Sequence, residues 1–295
     1  MRKCVAFIAC VLLQSTGAFA GDFLTSTDGW SGFSVGAGIG AKTIDQNATA
    51  AAERWDLFKK KTCFWYYYCD TDYYGTKPEY LKGSMNDDAW KIFGTVQVGY
   101  DRLLFDRVLI GAFADYDFHP EGDEHASFSY KGNSLSGDLD RAGTWTVGGR
   151  LGYLVTPRFL VYGLGGFSRM NQDGSVTAAF DGPKYAPLPT SVTLTTGDLD
   201  GWTTGGGIET KLDRIDKRLS LKVEYRYSRF EGDSDVGYDD AFNKTTYKKW
   251  WTKTQVKHWA SEGAGFDLDE ATVQSVRAVL VWKLQADPAP IEPLK

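Results

Sequence analysis

The sequence predicts an all-β protein, an eight-stranded antiparallel transmembrane β-barrel with long extracellular loops and short periplasmic turns. Three observations indicate this fold: an export leader at the N-terminus, eight segments in which apolar and polar residues alternate, and a regular exchange of long and short connections between them. A period of two places alternate side chains on opposite faces of a strand. Long loops at one end and short turns at the other are typical of outer-membrane barrels.

The N-terminal residues 1–20 have the features of a secretory signal peptide. Arg2 provides a positive charge near the N-terminus, an apolar run occupies 5–13, and Ala18 and Ala20 have the A-x-A spacing of a cleavage site. Such a segment is removed on export. No later stretch reaches the roughly 18–20 apolar residues that a membrane helix needs. A membrane location would therefore require a barrel.

Eight segments carry the alternation, and their spacing predicts how the chain is organised. In chain order they are 32–40, 90–100, 108–118, 144–153, 159–169, 201–212, 219–229 and 275–284. The connections that follow the first, third, fifth and seventh segments are long, about fifty, twenty, thirty and forty residues. The connections after the second, fourth and sixth are tight turns around 103–106, 155–158 and 213–217. The predicted organisation is a leader (1–20), a lead-in (21–30), the barrel (31–284) and a Pro-rich periplasmic tail (285–295).

The individual strands differ in how clear their pattern is. In "GFSVGAGIG", Phe, Val, Ala and Ile alternate with Gly and Ser, and in "WKIFGTVQVGY", Ile, Val and Tyr alternate with Lys, Thr and Gln. In "VLIGAFADYDF", the apolar residues lie on the face opposite two aspartates. "TWTVGGRLGY", "GWTTGGGIETKL" and "SVRAVLVWKL" each oppose Trp and aliphatic residues to charged ones, and "LSLKVEYRYSR" alternates without a break. "FLVYGLGGFSR" is weaker and is expected to place Leu160, Tyr162 and Leu164 on the apolar face, opposite Arg169.

The polar faces carry charges of both signs, as expected for the closed lumen of a small barrel, which has room for little besides side chains. Aromatic residues at the ends of the apolar faces fit the girdles at the membrane interfaces. The alternative is a secreted β-sandwich or lipocalin-like barrel with its apolar faces inward. The strict alternation of long and short connections favours a membrane barrel over both. We predict lumen ion pairs among Arg150, Glu209, Lys222, Glu224, Arg226 and Arg277.

Two stretches carry a resemblance to a known family. "LDGWTTGGGIETKL…RLSLKVEYRYSRF" (199–230) resembles the last β-hairpin of the small outer-membrane β-barrel surface proteins of alphaproteobacteria, and "FGTVQVGYDRLLFDRVLIGAFADYDF" (93–118) is similar to their second and third strands. The resemblance implies an OmpA-like eight-stranded barrel, surface exposure, and roles in envelope integrity and host contact, with haem binding in some members. The chain departs from the family because its last strand does not end the chain on an aromatic residue.

The first long connection contains "TCFWYYYCDTDYYG" (62–75), in which Cys63 and Cys69 bracket five aromatic residues. They are the two cysteines that remain once the leader is removed, and an even pair in an exported chain predicts a disulfide. A metal site would need more ligands, and none is predicted. The bridge would hold the aromatic residues at the tip of an extracellular loop.

Aromatic residues and lysines recur in the fourth long connection, in "YKKWWTKTQVKHW" (247–259). Aromatic rings beside cations suit protein partners, sugars, lipid phosphates or haem carboxylates. The alternative is that these rings pack on one another and stiffen the loops. The candidate ligand contacts are Phe64, Trp65, Tyr66, Tyr67, Tyr68, Lys248, Lys249, Trp250, Trp251 and His258.

Catalytic chemistry has little support in the sequence. His119 and His125 lie near Asp117, Asp123 and Ser127, but no spacing typical of a nucleophile or a triad is present. The glycine-rich "GAGIG" lies in a strand without a following helix, unlike a dinucleotide loop. We predict no catalytic residue and no cofactor, and the net charge of −5 argues against nucleic acid as a partner.

The predicted function is that of a multi-pass protein of the Gram-negative outer membrane that stabilises the envelope and presents its loops to a ligand or a host. The alternatives are a surface receptor for haem or another small ligand, a small porin, and a lipid A-modifying enzyme. The expected partners are outer-membrane lipids and lipopolysaccharide, the barrel-assembly machinery, and host surface molecules or haem.

Overall fold

The computed structural model describes residues 29–64, 68–87, 90–118, 124–130, 133–182, 188–249 and 251–284. The predicted signal peptide (1–20), most of the lead-in and the Pro-rich tail (285–295) lie outside these residues. No helix in the described part of the chain is long and apolar enough to cross a membrane.

The described residues form fourteen strands, and all of their pairings are antiparallel. In chain order they are β1 (Gly32–Phe64), β2 (Tyr68–Gly75), β3 (Glu79–Asp87), β4 (Trp90–Leu104), β5 (Val108–Phe118), β6 (Glu124–Tyr130), β7 (Asn133–Thr156), β8 (Phe159–Phe180), β9 (Thr190–Thr196), β10 (Leu199–Lys211), β11 (Leu219–Phe230), β12 (Asp233–Lys249), β13 (Thr252–Leu268) and β14 (Ala271–Lys283).

Eight of these strands close into a ring, in the order β1, β4, β5, β7, β8, β10, β11 and β14, with β14 pairing back to β1. Val35 of β1 pairs with Val98 of β4 on one side and with Trp282 of β14 on the other. The predicted eight-stranded antiparallel barrel is confirmed. The two strands of the conspicuous 199–230 hairpin, β10 and β11, are the sixth and seventh of the ring.

The outside of the ring is apolar, which excludes a lipocalin-like barrel with apolar faces inward. Ile39 and Ile92 are 69% and 71% exposed on neighbouring strands, and Leu151 and Leu280 are exposed further round. Charged residues of the same strands, such as Lys42 and Arg277, are buried on the opposite face. An exposed apolar band around a polar lumen is the arrangement required in contact with lipid.

One end of the barrel has short turns, as predicted. Between β4 and β5 the backbone N–H of Arg107 donates to the carbonyl of Leu104 (3.3 Å), and the two intervening residues, Phe105 and Asp106, have φ of 51° and 62°. Positive φ at both central positions is the geometry of a type I′ hairpin turn, whose twist matches the flanking strands. Trp30 lies at this same end, where its indole N–H donates to the carbonyl of Pro157 (3.0 Å).

At the other end the predicted long loops contain strands, and the ring continues outward as a sheet. β1 is 33 residues long. Its residues 32–45 pair within the barrel, whereas 48–64 pair with β13, 46–54 with β3 and 57–64 with β2. On the far side, β7 and β8 extend together and β9 adds to β8. We call this whole outer part the extracellular sheet.

Three apolar clusters lie along the interior of the molecule. The lowest lies at the turn end around Trp30, Leu109 and Leu160, and the middle one lies at the outer mouth around Met170 and Phe230. The third belongs to the extracellular sheet and comprises Ala48, Ala50, Ala52, Leu81, Leu135, Val176, Ala178, Phe180, Val192, Leu194, Ala264, Phe266 and Leu268. The extracellular sheet therefore has a hydrophobic core of its own.

The face predicted for the fifth segment is wrong. Leu160, Tyr162 and Leu164 of β8 point into the lumen, whereas Arg169 is partly exposed and pairs with Asp200 on the outside. Glycines on both faces of "GLGG" weaken the alternation, so the local pattern did not identify the inner face. The deciding factor is the narrow lumen near the turns, which needs bulky apolar side chains to fill it.

Candidate functional site

The lower part of the lumen is crossed by an ion-pair network centred on Arg150. Its guanidinium contacts Asp101 (Nη2–Oδ2, 2.6 Å) and Glu209 (Nη1–Oε2, 2.8 Å). Lys283 contacts the same Asp101 carboxylate at 2.5 Å, and the hydroxyl of Ser220 donates to Glu209 (2.6 Å). All of these side chains are buried. Each charge therefore meets an opposite charge, which is the condition for burying it at tolerable cost.

A second layer lies above the first and is centred on Arg226. Its Nη2 lies 2.8 Å from both Asp115 and Glu224, and Lys222 lies 3.0 Å from Glu224. The hydroxyl of Tyr162 donates to Glu224 Oε1 at 2.8 Å, the oxygen that Lys222 also contacts, whereas Arg226 contacts Oε2. The three strands that meet here, β5, β8 and β11, are thereby tied together across the lumen.

Arg277 completes the network near the outer mouth, where it forms a bidentate pair with Asp117 (2.7 and 2.9 Å). The structure thus brings all six residues predicted to form lumen ion pairs into the barrel interior. Asp101 and Tyr162 belong to the network but were not among the predicted lumen ion-pair residues. Asp101 could have been found, because it continues the alternation of the second segment by one residue.

The two aromatic and lysine-rich segments meet at the outer end of the extracellular sheet. β1 lies between β2 and β13, and β12 lies beyond β13, so one row across four strands reads Tyr68, Phe64, Thr252 and Lys249. The next row reads Cys69, Cys63, Lys253 and Lys248. We call these two rows and the adjoining Trp251 the tip. Phe64, Tyr68 and Trp251 are exposed there, as is Lys248.

Four of the candidate contacts, Trp65, Tyr66, Tyr67 and Trp250, lie outside the described residues. The backbone of Lys249 is described, and its side chain is not.

His258 is not at the tip but in the interior of the extracellular sheet. It is 4% exposed, its Nε2 lies 2.6 Å from Asp56 Oδ1, and its ring stacks on Phe58 at 4.0 Å. Tyr74 also stacks on Phe58, with the ring centroids 5.0 Å apart. A ligand on the outer surface cannot reach an imidazole in this position, because the side chain points inward from β13.

A buried arginine holds this interior together. Arg54 is 0% exposed. Its Nη2 donates to Asp56 (2.8 Å) and to the carbonyl of Leu188 (2.6 Å). Its Nη1 donates to the carbonyl of Phe180 and to the hydroxyl of Thr190. Asp56 belongs to β1, Phe180 ends β8, Thr190 begins β9, and Leu188 lies just before β9. The arginine therefore links the two sides of the extracellular sheet. In the described part of the chain no cluster of three or more metal-ligating side chains is present.

Residues 6–248 match the family model described as Outer membrane protein beta-barrel domain. The chain belongs to this family. The predicted resemblance to small outer-membrane barrels and the predicted outer-membrane location are thereby confirmed.

Curated relatives carry the same assignment in their names. The 31 kDa outer-membrane immunogenic protein of Brucella melitensis biotype 1 is 33% identical over 167 residues, which is 56% of this chain and 64% of that protein. A protein of the same name from Brucella suis biovar 1 matches to the same extent. The chain spans slightly less than two thirds of the length of these relatives.

Solved structures show weaker likenesses to this outer-membrane barrel. Ail, the attachment invasion locus protein of Yersinia pestis, is 9% identical with a TM-score of 0.25, and the match covers 73% of this chain and 97% of Ail. The outer membrane protease OmpT of Escherichia coli is 10% identical with a TM-score of 0.33, over 79% of this chain and 96% of OmpT.

The predicted disulfide is confirmed, since Cys63 and Cys69 are bonded directly across the β1–β2 hairpin of this barrel protein. Replacing both with serine should lower the stability of the hairpin by about 2 kcal/mol, because the bridge limits the freedom of the unfolded chain even when the loop is short. Limited proteolysis of oxidised wild type and the double variant should show faster cleavage within 57–75 in the variant. Equal cleavage rates would contradict this role.

Glu262 is a buried carboxyl group of the extracellular sheet. It is 0% exposed, lies opposite Arg54 and Asp239 in the strand pairing, and neither carboxylate oxygen has a hydrogen-bond partner within 3.5 Å. Burial raises the pKa of this carboxyl above its ordinary value; Asp239 acts in the same direction, and Thr190 and Arg54 act against it. The folded state therefore retains the proton to higher pH than the unfolded chain does.

The stability of the extracellular sheet should consequently fall as the pH rises from the ordinary carboxyl pKa through the raised pKa of Glu262. Glu262→Gln removes the ionisable group and should stabilise the sheet by about 1–3 kcal/mol at pH 7.5, with no difference from wild type near pH 4. The measurement is urea unfolding at both pH values, followed by protease resistance of residues 46–64. Glu53→Gln, on the exposed face of β1, is the matched control and should change stability by less than about 0.5 kcal/mol. A pH-independent effect of Glu262→Gln would overturn the assignment.

Proposed function

We propose that this protein is a structural and surface-interaction component of the outer membrane. In this proposal the barrel is a closed anchor, and the extracellular sheet is a stiff support that presents the tip to a ligand or a host surface. The observation that carries the proposal is the meeting of the two aromatic and lysine-rich segments in adjacent rows of one ordered sheet.

The composition of the tip supports an interaction surface. Phe64, Tyr68 and Trp251 are 46%, 68% and 60% exposed, and Lys248 lies in the adjacent row. Aromatic and cationic side chains are the residues that most often dominate binding energies at protein surfaces. Paired strands and the disulfide reduce the conformational entropy that such a surface would lose on binding.

The lumen supports the structural part of the proposal. Arg150, Arg226 and Arg277 each join side chains from different strands. Cross-links of this kind hold a small barrel in one shape, and no passage is needed for that role.

The haem alternative loses its proposed ligand. His258 bonds to Asp56 beneath Phe58 and is covered by the extracellular sheet. The lipid A-modifying alternative is also weakened, because Asp117, one member of the grouping that suggested it, is engaged by Arg277 in the lumen. His119 and Asp123 lie outside the described residues, as do the side chains of His125 and Ser127. Our proposal is that the protein is not an enzyme.

The porin alternative makes a direct electrical prediction. The paired side chains of the lumen and the apolar cluster around Trp30 occupy the path that ions would take. We therefore expect no resolvable single-channel events when the purified barrel is reconstituted in planar lipid bilayers. Stable conductance steps in such bilayers would contradict a closed lumen.

The experiment that tests the proposed function compares a deletion strain with strains that carry wild type or a tip variant. The tip variant is Phe64→Ser, Tyr68→Ser, Lys248→Ser and Trp251→Ser together, which leaves every residue of the third apolar cluster in place. Wild type should restore both detergent resistance and adhesion to host extracellular matrix. The tip variant should restore detergent resistance and lose adhesion.

Two outcomes would decide against the proposal. Detergent resistance that is unchanged by the deletion would remove the structural role. Adhesion that is equal in the wild-type and tip-variant strains would remove the role of the tip. Haem titration of the purified protein in nanodiscs is a parallel measurement, for which we expect no saturable binding.

A further inference from the structure

A groove of about 380 Å³ lies on the outer face of the extracellular sheet, well away from the tip. Gly263, Gly265 and Ala51 form its floor, and Tyr80 and Tyr238 stand on either side. The floor is low because its residues lack side chains beyond Cβ. Nothing in the barrel, the lumen network or the tip accounts for this concave strip of surface.

Strand pairing fixes the dimensions of the groove. Tyr80 on β3 pairs with Glu53 on β1, Glu53 pairs with Gly263 on β13, and Gly263 pairs with Tyr238 on β12. The four residues form a straight row across three strand spacings, so the Cα atoms of the two tyrosines lie about 14 Å apart. A carboxylate lies between them.

Gly263 leaves room for the ring of one tyrosine. A Cβ added at Gly263 would lie 3.2 Å from Cε1 of Tyr238, because that ring leans along the sheet over the glycine. The ring nevertheless remains 81% exposed, and Tyr80 remains 64% exposed. Two aromatic rings are therefore supported by the sheet while most of their surface is open to solvent.

The distance of the groove from the membrane excludes lipid acyl chains as the occupant. Thr43, which pairs with Trp90, marks the outer end of the β1–β4 pairing, and Glu53 is ten residues further along β1. At about 3.3 Å per residue the groove lies roughly 33 Å further along the strand, or about 25 Å in height if the strand keeps a typical barrel tilt. The tyrosines are thus beyond the interfacial girdle.

The charges around the groove exclude an anionic occupant. Among the described residues that line the groove, the charged ones are Glu53 at its centre and Lys82 on β3, and Asp240 lies one row further out on the same face. The local balance is acidic, so phosphate and sulfate groups are repelled. A carboxylate between two exposed rings instead offers a hydrogen-bond acceptor to hydroxyl donors, with apolar ring faces beside it.

We propose that this groove binds a neutral oligosaccharide. In this arrangement sugar rings stack on Tyr80 and Tyr238, their hydroxyls donate to Glu53, and a chain of sugars is needed because one ring cannot reach both tyrosines. The inference deepens the proposed surface-interaction role and rests on it only in requiring an exposed extracellular sheet. It assigns a separate site from the tip.

The test is isothermal titration calorimetry of the full protein in nanodiscs with maltohexaose, cellohexaose and chitohexaose as neutral probes and a hyaluronan hexasaccharide as the anionic probe. We expect saturable binding of at least one neutral probe and none of hyaluronan. Tyr80→Ala and Tyr238→Ala should each weaken that binding at least tenfold, whereas Tyr238→Phe should retain it within threefold. Glu53→Gln should weaken it without changing the fold.

Tyr247→Ala is the matched control, since Tyr247 is a similarly exposed tyrosine on β12 outside the groove. It should leave binding within twofold of wild type. Failure of all three neutral probes to bind, equal binding of hyaluronan, or an equal loss in Tyr247→Ala would overturn the proposal. Because the tip variant keeps this groove, loss of adhesion at the tip and loss of sugar binding here can be told apart.

Discussion

Replacing Arg226 with methionine should lower the free energy of unfolding of the barrel by about 3–5 kcal/mol. The guanidinium lies 2.8 Å from both Asp115 and Glu224, and all three side chains are 1% exposed. Methionine has a similar length and no charge, so the substitution leaves carboxylates in a lumen that water cannot readily enter. The cost comes from weakened charge compensation more than from lost packing, since Asp115 is left with the longer contact to Arg277 (3.7 Å).

The measurement is the midpoint of urea unfolding in detergent or lipid, read from the shift in gel mobility between folded and unfolded barrel. Arg169→Met is the matched control, because Arg169 also pairs with an aspartate, Asp200, but both side chains are substantially exposed. That change should cost less than about 1 kcal/mol. Adding Asp115→Asn to Arg226→Met should recover part of the loss, since Glu224 retains Lys222 and Tyr162 as partners. Equal effects of Arg226→Met and Arg169→Met would show that the lumen network does not stabilise the barrel.

Replacing Phe266 with alanine should destabilise the extracellular sheet by about 3–5 kcal/mol and leave the barrel folded. Phe266 is 2% exposed in the third apolar cluster, among residues of β1, β8, β9 and β13. The cluster is separate from those inside the barrel. A cavity at its centre should therefore open the outer part alone.

Limited proteolysis combined with gel mobility distinguishes the two parts of the molecule. In Phe266→Ala the extracellular strands should be cut rapidly, while the heat-dependent mobility of the barrel persists. Phe242→Ala is the matched control, because this phenylalanine is 53% exposed on the neighbouring strand β12. Resistance of Phe266→Ala equal to that of Phe242→Ala would mean that the outer strands do not depend on a core.

The barrel itself could be predicted from the sequence because its strands obey a local rule. In 219–229 lipid-facing residues alternate with lumen-facing ones, and the structure keeps that alternation from Leu221 to Arg226. Lipid on one side and a charged lumen on the other impose opposite chemistry on successive residues. The disulfide was also predictable, since cleavage of the predicted leader would leave Cys63 and Cys69 as the two remaining cysteines.

This alternation rule fails where both faces of a strand carry apolar residues or both carry small residues. On β8 the glycines around Leu164 left the inner face undefined, and packing near Trp30 decided it. In the extracellular sheet neither face touches lipid, so alanines such as Ala50 and Ala51 occupy the inner and outer sides alike. The long connections therefore looked like loops in the sequence although they form strands.

By itself the sequence determined the number of membrane strands, their order, the end at which the turns lie, and the charges that fill the lumen, because each depends on a period of two or on the spacing between segments. Tertiary structure alone decided which distant residues meet. It placed Arg54 against Thr190, His258 against Asp56, and Tyr80 in one row with Tyr238. These contacts depend on the register between strands up to about two hundred residues apart, and register is set by the packing of the closed sheet as a whole.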